Sequence, residues 1–208
     1  GVLSRSGNDW WSECGLRTPE PAWRSAGTTV YADDGTRHEV RLGIPGVVNV
    51  GNAALAAATA GLWDVSATDA FQAMSAITTV EGRYLSTTYA NEPVRLLLAK
   101  NPAGWTEALT MVPEDRRQVV IAVNARAADG RDPSWLWDVP FEQLAGRHAI
   151  ATGERSRDVA VRLRYAGVEH ERIDDPAHAL TAAARSGPVE VLANYTAFQT
   201  YRRVVRDG

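Results

Sequence analysis

Apolar and polar positions change rhythm twice along the chain. Up to about Pro45 the sequence is rich in Gly, Trp, Thr, Asp and Pro, and it alternates with period two over 28–32 and again over 38–42. The intervening Asp33-Asp34-Gly35 favours the positive dihedrals of a tight turn, so a β-hairpin is predicted. From Gly46 the spacing becomes helical: Val47, Val48, Ala53, Ala54, Ala56, Ala57 and Ala60 recur on one face, and Gly61 stands where a helix C-cap often falls. A second helix is predicted over 67–76, with Ser66 or Thr68 as N-cap and Phe71, Met74 and Ile77 on one face. After Glu81-Gly82-Arg83, short apolar runs at 94–99, 119–123, 148–151 and 189–192, with a weaker one at 171–173, alternate with helical segments at 103–111, 141–144, 157–166, 177–184 and 196–205. This alternation predicts an α/β fold with a Rossmann-like, mostly parallel sheet and right-handed crossovers.

Composition narrows the function classes. A chain of 208 residues with 45% apolar content has room for one large or two small domains. Its 22 basic residues are scattered and the net charge is -3, so it lays down no basic stripe for nucleic acid. The single cysteine, Cys14, excludes an internal disulfide and agrees with a reducing, cytoplasmic setting. No apolar run approaches the ~20 residues needed to cross a bilayer. The opening Gly1-Val2-Leu3-Ser4-Arg5 has neither the order of a secretion signal nor a helix cap, and reads as cut from something longer.

In an open parallel sheet the ligand sits beyond the carboxyl ends of the strands. There the predicted strands lead into Lys100-Asn101-Pro102-Ala103-Gly104, Asn124, Thr152-Gly153-Glu154-Arg155 and Asn194-Tyr195-Thr196, which points to one polar cleft. Turn and cap chemistry accounts for each of these singly. The stretch from Ala128 to Asp138 is harder to dismiss, because it places three aspartates and two tryptophans in one loop, where large aromatics need something to pack against.

Four segments, in order, carry a family resemblance: Gly46-Val47-Val48-Asn49-Val50-Gly51-Asn52-Ala53, Glu81-Gly82-Arg83-Tyr84, Lys100-Asn101-Pro102-Ala103-Gly104-Trp105, and Asp129-Gly130-Arg131-Asp132-Pro133-Ser134-Trp135-Leu136-Trp137-Asp138. The chain resembles, from Trp10 nearly to its end, the MurT-type subunit of lipid II isoglutaminyl synthase, a branch of the Mur ligases. The first two segments are shared with Mur and folylpolyglutamate ligases, whereas the last two are particular to the MurT branch.

The resemblance implies that residues 1–79 are the tail of an ATP-binding central domain, with a remnant of its zinc-ribbon region, and that 80–208 form the Rossmann-like C-terminal domain. It implies ATP and Mg2+ for the complete enzyme, a GatD-type glutaminase partner, and lipid II met at the inner face of the membrane. Phosphorylation of a D-glutamate carboxylate and displacement by ammonia would leave D-isoglutamine. Asn52 matches the position that hydrogen-bonds adenine, and Arg83 one that approaches the phosphates, with an interdomain salt bridge as its alternative role. Asn101 stands where many Mur ligases carry an acid, and would orient the substrate carboxylate or ammonia. Thr152, Gly153 and Arg155 form a strand-to-helix turn suited to an anionic group, either phosphate or the substrate's carboxylate, or a simple helix cap. An aspartate of the loop would accept the N–H of the glutaminase histidine and complete a split triad: Asp132 by position, with Asp129 and Asp138 as alternatives. Trp135 and Trp137 would anchor the interface.

Two departures from the family pattern follow. No Gly-rich segment ends in Lys-Ser or Lys-Thr, so the chain by itself is expected not to hydrolyse ATP. Of the four-cysteine zinc ribbon only Cys14 remains, with Trp11 where a partner belongs, so the metal site is expected to be lost or incomplete. Three readings stay open: a subunit of an amidating ligase, inactive alone; a non-catalytic module that docks and activates the glutaminase; and an unrelated nucleotide- or sugar-binding domain.

Overall fold

The computed structural model describes residues 2–7 and 9–207; Gly1, Asn8 and Gly208, and with them the ends of the two expected domains, lie outside the described residues. By contact density the chain divides into two compact units, residues 1–41 with 50–72, and residues 42–49 with 73–208.

In the first unit β1 (Leu3–Ser6) and β2 (Asp9–Ser12) pair antiparallel, a hairpin the alternation did not predict. β3 (Arg24–Ala26), β4 (Thr29–Tyr31) and β5 (Arg37–Glu39) form an antiparallel meander. The predicted turn closes β4 on β5: Gly35 takes φ 82°, and the Asp34 carboxylate accepts from the Thr36 amide at 2.7 Å. α1 (Val47–Ala60) buries Val50, Ala53, Ala54 and Ala57, so a stripe of small side chains meets the core.

Gly61 does not cap this helix. It opens a 3-10 turn, Gly61–Trp63, and Asp64 takes the left-handed conformation at φ 61°, which a short polar side chain tolerates. α2 (Ala67–Ser75) is capped by Ser66, whose Oγ accepts from the Asp69 amide at 3.1 Å. Phe71 is buried, whereas Ile77 lies beyond the helix and is exposed.

The second unit holds a six-stranded sheet. Its strands are β6 (Tyr84–Tyr89), β7 (Glu92–Leu98), β8 (Gln118–Ala122), β9 (His148–Thr152), β10 (Glu169–Arg172) and β11 (Val189–Ala193). They lie in the order β10-β9-β8-β11-β7-β6, all parallel except β6, which pairs antiparallel with β7. The predicted α/β architecture is therefore present, with one unpredicted edge strand. Five consecutive positions, Val119 to Val123, are each 0% exposed, which is why the central strand reads as an unbroken apolar run.

One face is covered by α3 (Pro102–Thr110), α4 (Ser156–Tyr165) and two 3-10 turns, Ser134–Asp138 and Phe141–Leu144. The other is covered by α5 (Pro176–Ala184) and α6 (Tyr195–Asp207). The first layer centres on Trp105, Leu109, Phe141 and Leu163, the second on Leu96, Leu180, Phe198 and Tyr201. No helix among the described residues is long and apolar enough to cross a membrane.

Candidate functional site at the strand ends

The connection after β8 leaves toward the α3 face and the one after β11 toward the α6 face, so a crevice is expected between their carboxyl ends. Hydrogen bonds fill it. Asn194 Oδ1 accepts from the Asn124 amide at 3.0 Å, and Asn194 Nδ2 donates to the Asn124 carbonyl at 2.7 Å. Asn124 Nδ2 donates to Thr196 Oγ1 at 2.9 Å, and its Oδ1 accepts from the Glu154 amide at 3.0 Å. Thr196 in turn gives its amide to Asp129 Oδ1 at 2.9 Å and its hydroxyl to Asp129 Oδ2 at 2.5 Å. Both oxygens of Asp129 thus close the start of α6. Replacing Asp129 with alanine removes the acceptor of the Thr196 amide and hydroxyl and is expected to lower stability by about 1–2 kcal/mol, read from urea denaturation.

Asp132 is placed differently. Its Oδ1 accepts from the Ser134 amide at 2.8 Å. That bond, the Ser134 hydroxyl and the charge of Arg155 hold its carboxyl below the usual range, so it is an exposed carboxylate at neutral pH. Asp138 ends the Ser134–Asp138 turn and is also exposed.

Buried Leu136 pins that turn to the core, and the two flanking tryptophans diverge. Trp135 is partly buried and stacks on fully buried Trp105 with ring centroids 5.8 Å apart, so one side of it packs on the core. Trp137 is 56% exposed, edge-on to Tyr165 at 5.4 Å and 5.8 Å from the Arg162 guanidinium.

The remaining candidates each have their own local setting. Asn101 caps α3, its Oδ1 accepting from the Gly104 amide at 2.8 Å, with Pro102 in the first turn. Thr152 is fully buried and donates to the Asp174 carbonyl at 3.5 Å. Gly153, at φ 87°, admits no side chain, since a Cβ would lie 2.7 Å from the Val123 carbonyl oxygen. Arg155 turns to Asp158, Nε to Oδ2 at 3.0 Å. Asn52 sits on the exposed side of α1 in the first unit. Arg83 is exposed in the second, with no ion pair among the described residues.

Sequence reasoning passed over two polar sites. One is a cavity of about 430 Å³ beyond β8, β9 and β10, with Ser156, Asp174 and Tyr201 on its walls. The other is Glu190, 0% exposed on β11, which holds Arg95 Nε at 2.8 Å and Arg116 Nε at 3.2 Å.

Comparison with known proteins shows what this region is similar to. Residues 98–198 match the MurT ligase C-terminal family. Among curated proteins, the chain is 27% identical over 209 residues to the lipid II isoglutaminyl synthase (glutamine-hydrolyzing) subunit MurT of Streptococcus pneumoniae, covering 92% of this chain and 46% of that protein. It is 43% identical over 77 residues to the subunit of the same name from Staphylococcus aureus, covering 35% of this chain and 18% of that one. The matched residues 98–198 all lie within the second unit.

Solved structures agree on the fold. A pseudomurein peptide ligase type C from Methanothermus fervidus matches with a TM-score of 0.67 at 16% identity, over 96% of this chain and 44% of that one. The UDP-N-acetylmuramate-alanine ligase MurC of Thermotoga maritima matches with 0.64 at 16% identity, over 87% and 43%. The chain thus spans about half the length, 46%, of the S. pneumoniae relative. Asn101, Asp129, Asp132, Asp138, Thr152, Gly153 and Arg155 lie inside the segment matched to the MurT domain, whereas Asn52 and Arg83 lie outside it.

Proposed function

We propose that this chain is part of the ligase subunit of a lipid II isoglutaminyl synthase, which amidates the D-glutamate of the stem peptide to D-isoglutamine with ammonia from a GatD-type glutaminase. The observation that carries this reading is the match to a MurT subunit of that enzyme over 92% of the chain. The reaction would take place in the cytoplasm at the inner membrane face, where the lipid-linked substrate presents its peptide.

ATP with Mg2+ would supply the activating phosphoryl group in the complete enzyme. Within this sequence Asn52 and Arg83 offer an amide and a guanidinium suited to adenine and phosphate, but the sequence has no phosphate-cradling loop, so the fit is partial. Asn101 would face the substrate carboxylate or ammonia without repelling an anion. Of the turn after β9, Gly153 and Arg155 stay accessible to an anionic group, while Thr152 supports them from the core. Cys14, where the family's zinc ribbon would lie, is exposed, and one thiolate would not close a tetrahedral zinc site.

A second reading, that this portion docks on and activates the glutaminase, is favoured by exposed Asp132 standing near exposed Trp137. Substitution separates the two roles. In the complete ligase with its glutaminase, Asn52→Ala or Arg83→Ala should slow ATP-dependent isoglutamine formation by about tenfold or more while glutamine hydrolysis stays stimulated. Equal loss of both activities in these variants would sink the division of labour.

A further inference from the structure

The sheet of the second unit is open at β6. That strand ends the order β10-β9-β8-β11-β7-β6, and among the described residues no strand pairs with its far side. Antiparallel pairing turns backbone groups alternately toward the neighbour and away from it. Leu98 donates its amide to the Arg83 carbonyl, and this sets the phase: Leu85, Thr87 and Tyr89 turn their backbone groups to β7, whereas Tyr84, Ser86 and Thr88 turn theirs outward. Tyr84 exchanges its two outward bonds with Val80. Ser86 and Thr88 remain, each with an outward N–H and C=O and an exposed side chain. Natural edge strands are guarded by charge, proline or a bulge, and Tyr-Leu-Ser-Thr-Thr-Tyr has none of these over an unbroken register.

The space beside this edge is positively charged. A groove of about 760 Å³ runs between β6 and α6, with Leu85 and Thr87 on one wall and Arg202, Arg203 and Arg206 on the other. Glu81 is the one carboxylate among the described residues that line it, and it meets Arg202 at 3.3 Å with its own side chain 88% exposed, so the pair is weak. Arg206 meets only its neighbour Asp207, and both are exposed. Arg203 gives Nε to the Gln199 carbonyl at 3.4 Å and has no carboxylate partner among the described residues.

We propose that the β6 edge takes up an extended acidic segment of a partner protein. The segment adds a strand beside β6, its backbone pairs with Ser86 and Thr88, and its acidic side chains meet Arg202, Arg203 and Arg206. Leu85 and Tyr89 pack in the layer of α5 and α6, so alternate residues of the added strand share the face that carries the arginines. Charge complementarity selects this occupant, because three guanidinium groups stand along a strand that has no charge of its own. Asn101, Arg83, Asp132, Gly153 and Arg155 contribute nothing to the groove, so the proposal stands or falls separately from the function proposed above.

Fluorescence anisotropy with the 208-residue chain tests it. The probe is a fluorescein-labelled hexapeptide that alternates glutamate with valine. Its two controls are the same peptide with glutamine for glutamate and its fully N-methylated form, which keeps the charge but cannot donate to a strand edge. Saturable binding of the probe is expected, and each control should bind at least about fivefold more weakly. The probe should lose affinity to the same degree for Ser86→Pro and for the double variant Arg203→Gln, Arg206→Gln. Proline at position 86 removes an outward N–H and leaves the bonds to β7 in place, and an unchanged unfolding midpoint shows that its fold is intact. The double variant changes exposed side chains alone and tests the charge should Ser86→Pro fail to fold. The proposal is overturned by the absence of saturable binding, by undiminished affinity of either control, or by undiminished affinity for the double variant or for folded Ser86→Pro. Sedimentation showing that a second copy of the chain occupies the edge, with no peptide bound, would also overturn it.

Discussion

Replacing Glu190 with alanine is expected to remove about 3 kcal/mol of folding stability, read as a shift of the urea midpoint at unchanged slope. The carboxylate is 0% exposed and held by Arg95 and Arg116, whose side chains are 17% and 19% exposed. Arg95 also donates to the Met111 carbonyl at 2.6 Å, so it cannot swing into water without breaking a second bond. Removing the carboxylate strands two guanidinium groups at the edge of the core, and their residual exposure keeps the loss toward the low end of the range for broken buried pairs.

The pH dependence has a definite sign. Burial raises the Glu190 carboxyl above its ordinary range, against the pull of Arg95 and Arg116. A carboxyl whose folded value exceeds its unfolded one binds its proton more tightly in the folded state. Its contribution to stability is therefore complete below the unfolded value of about 4.3 and is lost as pH rises through the raised value. The stability difference between the native chain and Glu190→Gln should accordingly move in favour of the variant as pH climbs through that window. A constant difference would contradict the assignment.

Asp132→Asn is expected to abolish the stimulation of a GatD-type glutaminase, with a loss on the order of 10²- to 10⁴-fold in turnover, while binding persists. The amide keeps the size of the side chain, but it no longer carries the negative charge that fixes a histidine tautomer and stabilises its imidazolium. Asp132 suits this task among the three aspartates. Asp129 spends both oxygens on Thr196, whereas Asp132 stays an exposed carboxylate on a turn fixed by Leu136. Because its carboxyl lies below the usual range, that charge is lost only as pH falls through the depressed value. Stimulation across about pH 6–8 should then follow the histidine alone. Asp138→Asn is the control and should leave stimulation nearly unchanged.

What the sequence disclosed follows from how local each signal is. The run from Val119 to Val123 announced a strand buried on both faces, and Asp33-Asp34-Gly35 announced its turn, because neighbours alone determine both. β6 went unread because its turn places Ala90 and Asn91 at φ 49° and 67°, and alanine gives no sign of a left-handed residue. Glu190 was read through as part of an apolar run, since its partner Arg95 lies 95 positions away. The capping role of Asp129 was equally hidden, as its hydrogen bonds reach 67 residues along the chain. Trp135 and Trp137 have the same residue type two positions apart, and only their different directions on a short turn leave one packed against the core and the other exposed. The polar strand ends were recognised individually, but their mutual bonding through Asn124 and Asn194, which fills the crevice, needed the fold.

The central claim is tested most directly by measuring glutamine hydrolysis by a purified GatD-type glutaminase with and without this chain, at matched concentrations and with association followed in the same samples. The account predicts a stable complex and faster hydrolysis, both retained in Asp129→Ala and only the complex retained in Asp132→Asn. No association, or hydrolysis stimulated equally by Asp132→Asn, would contradict it.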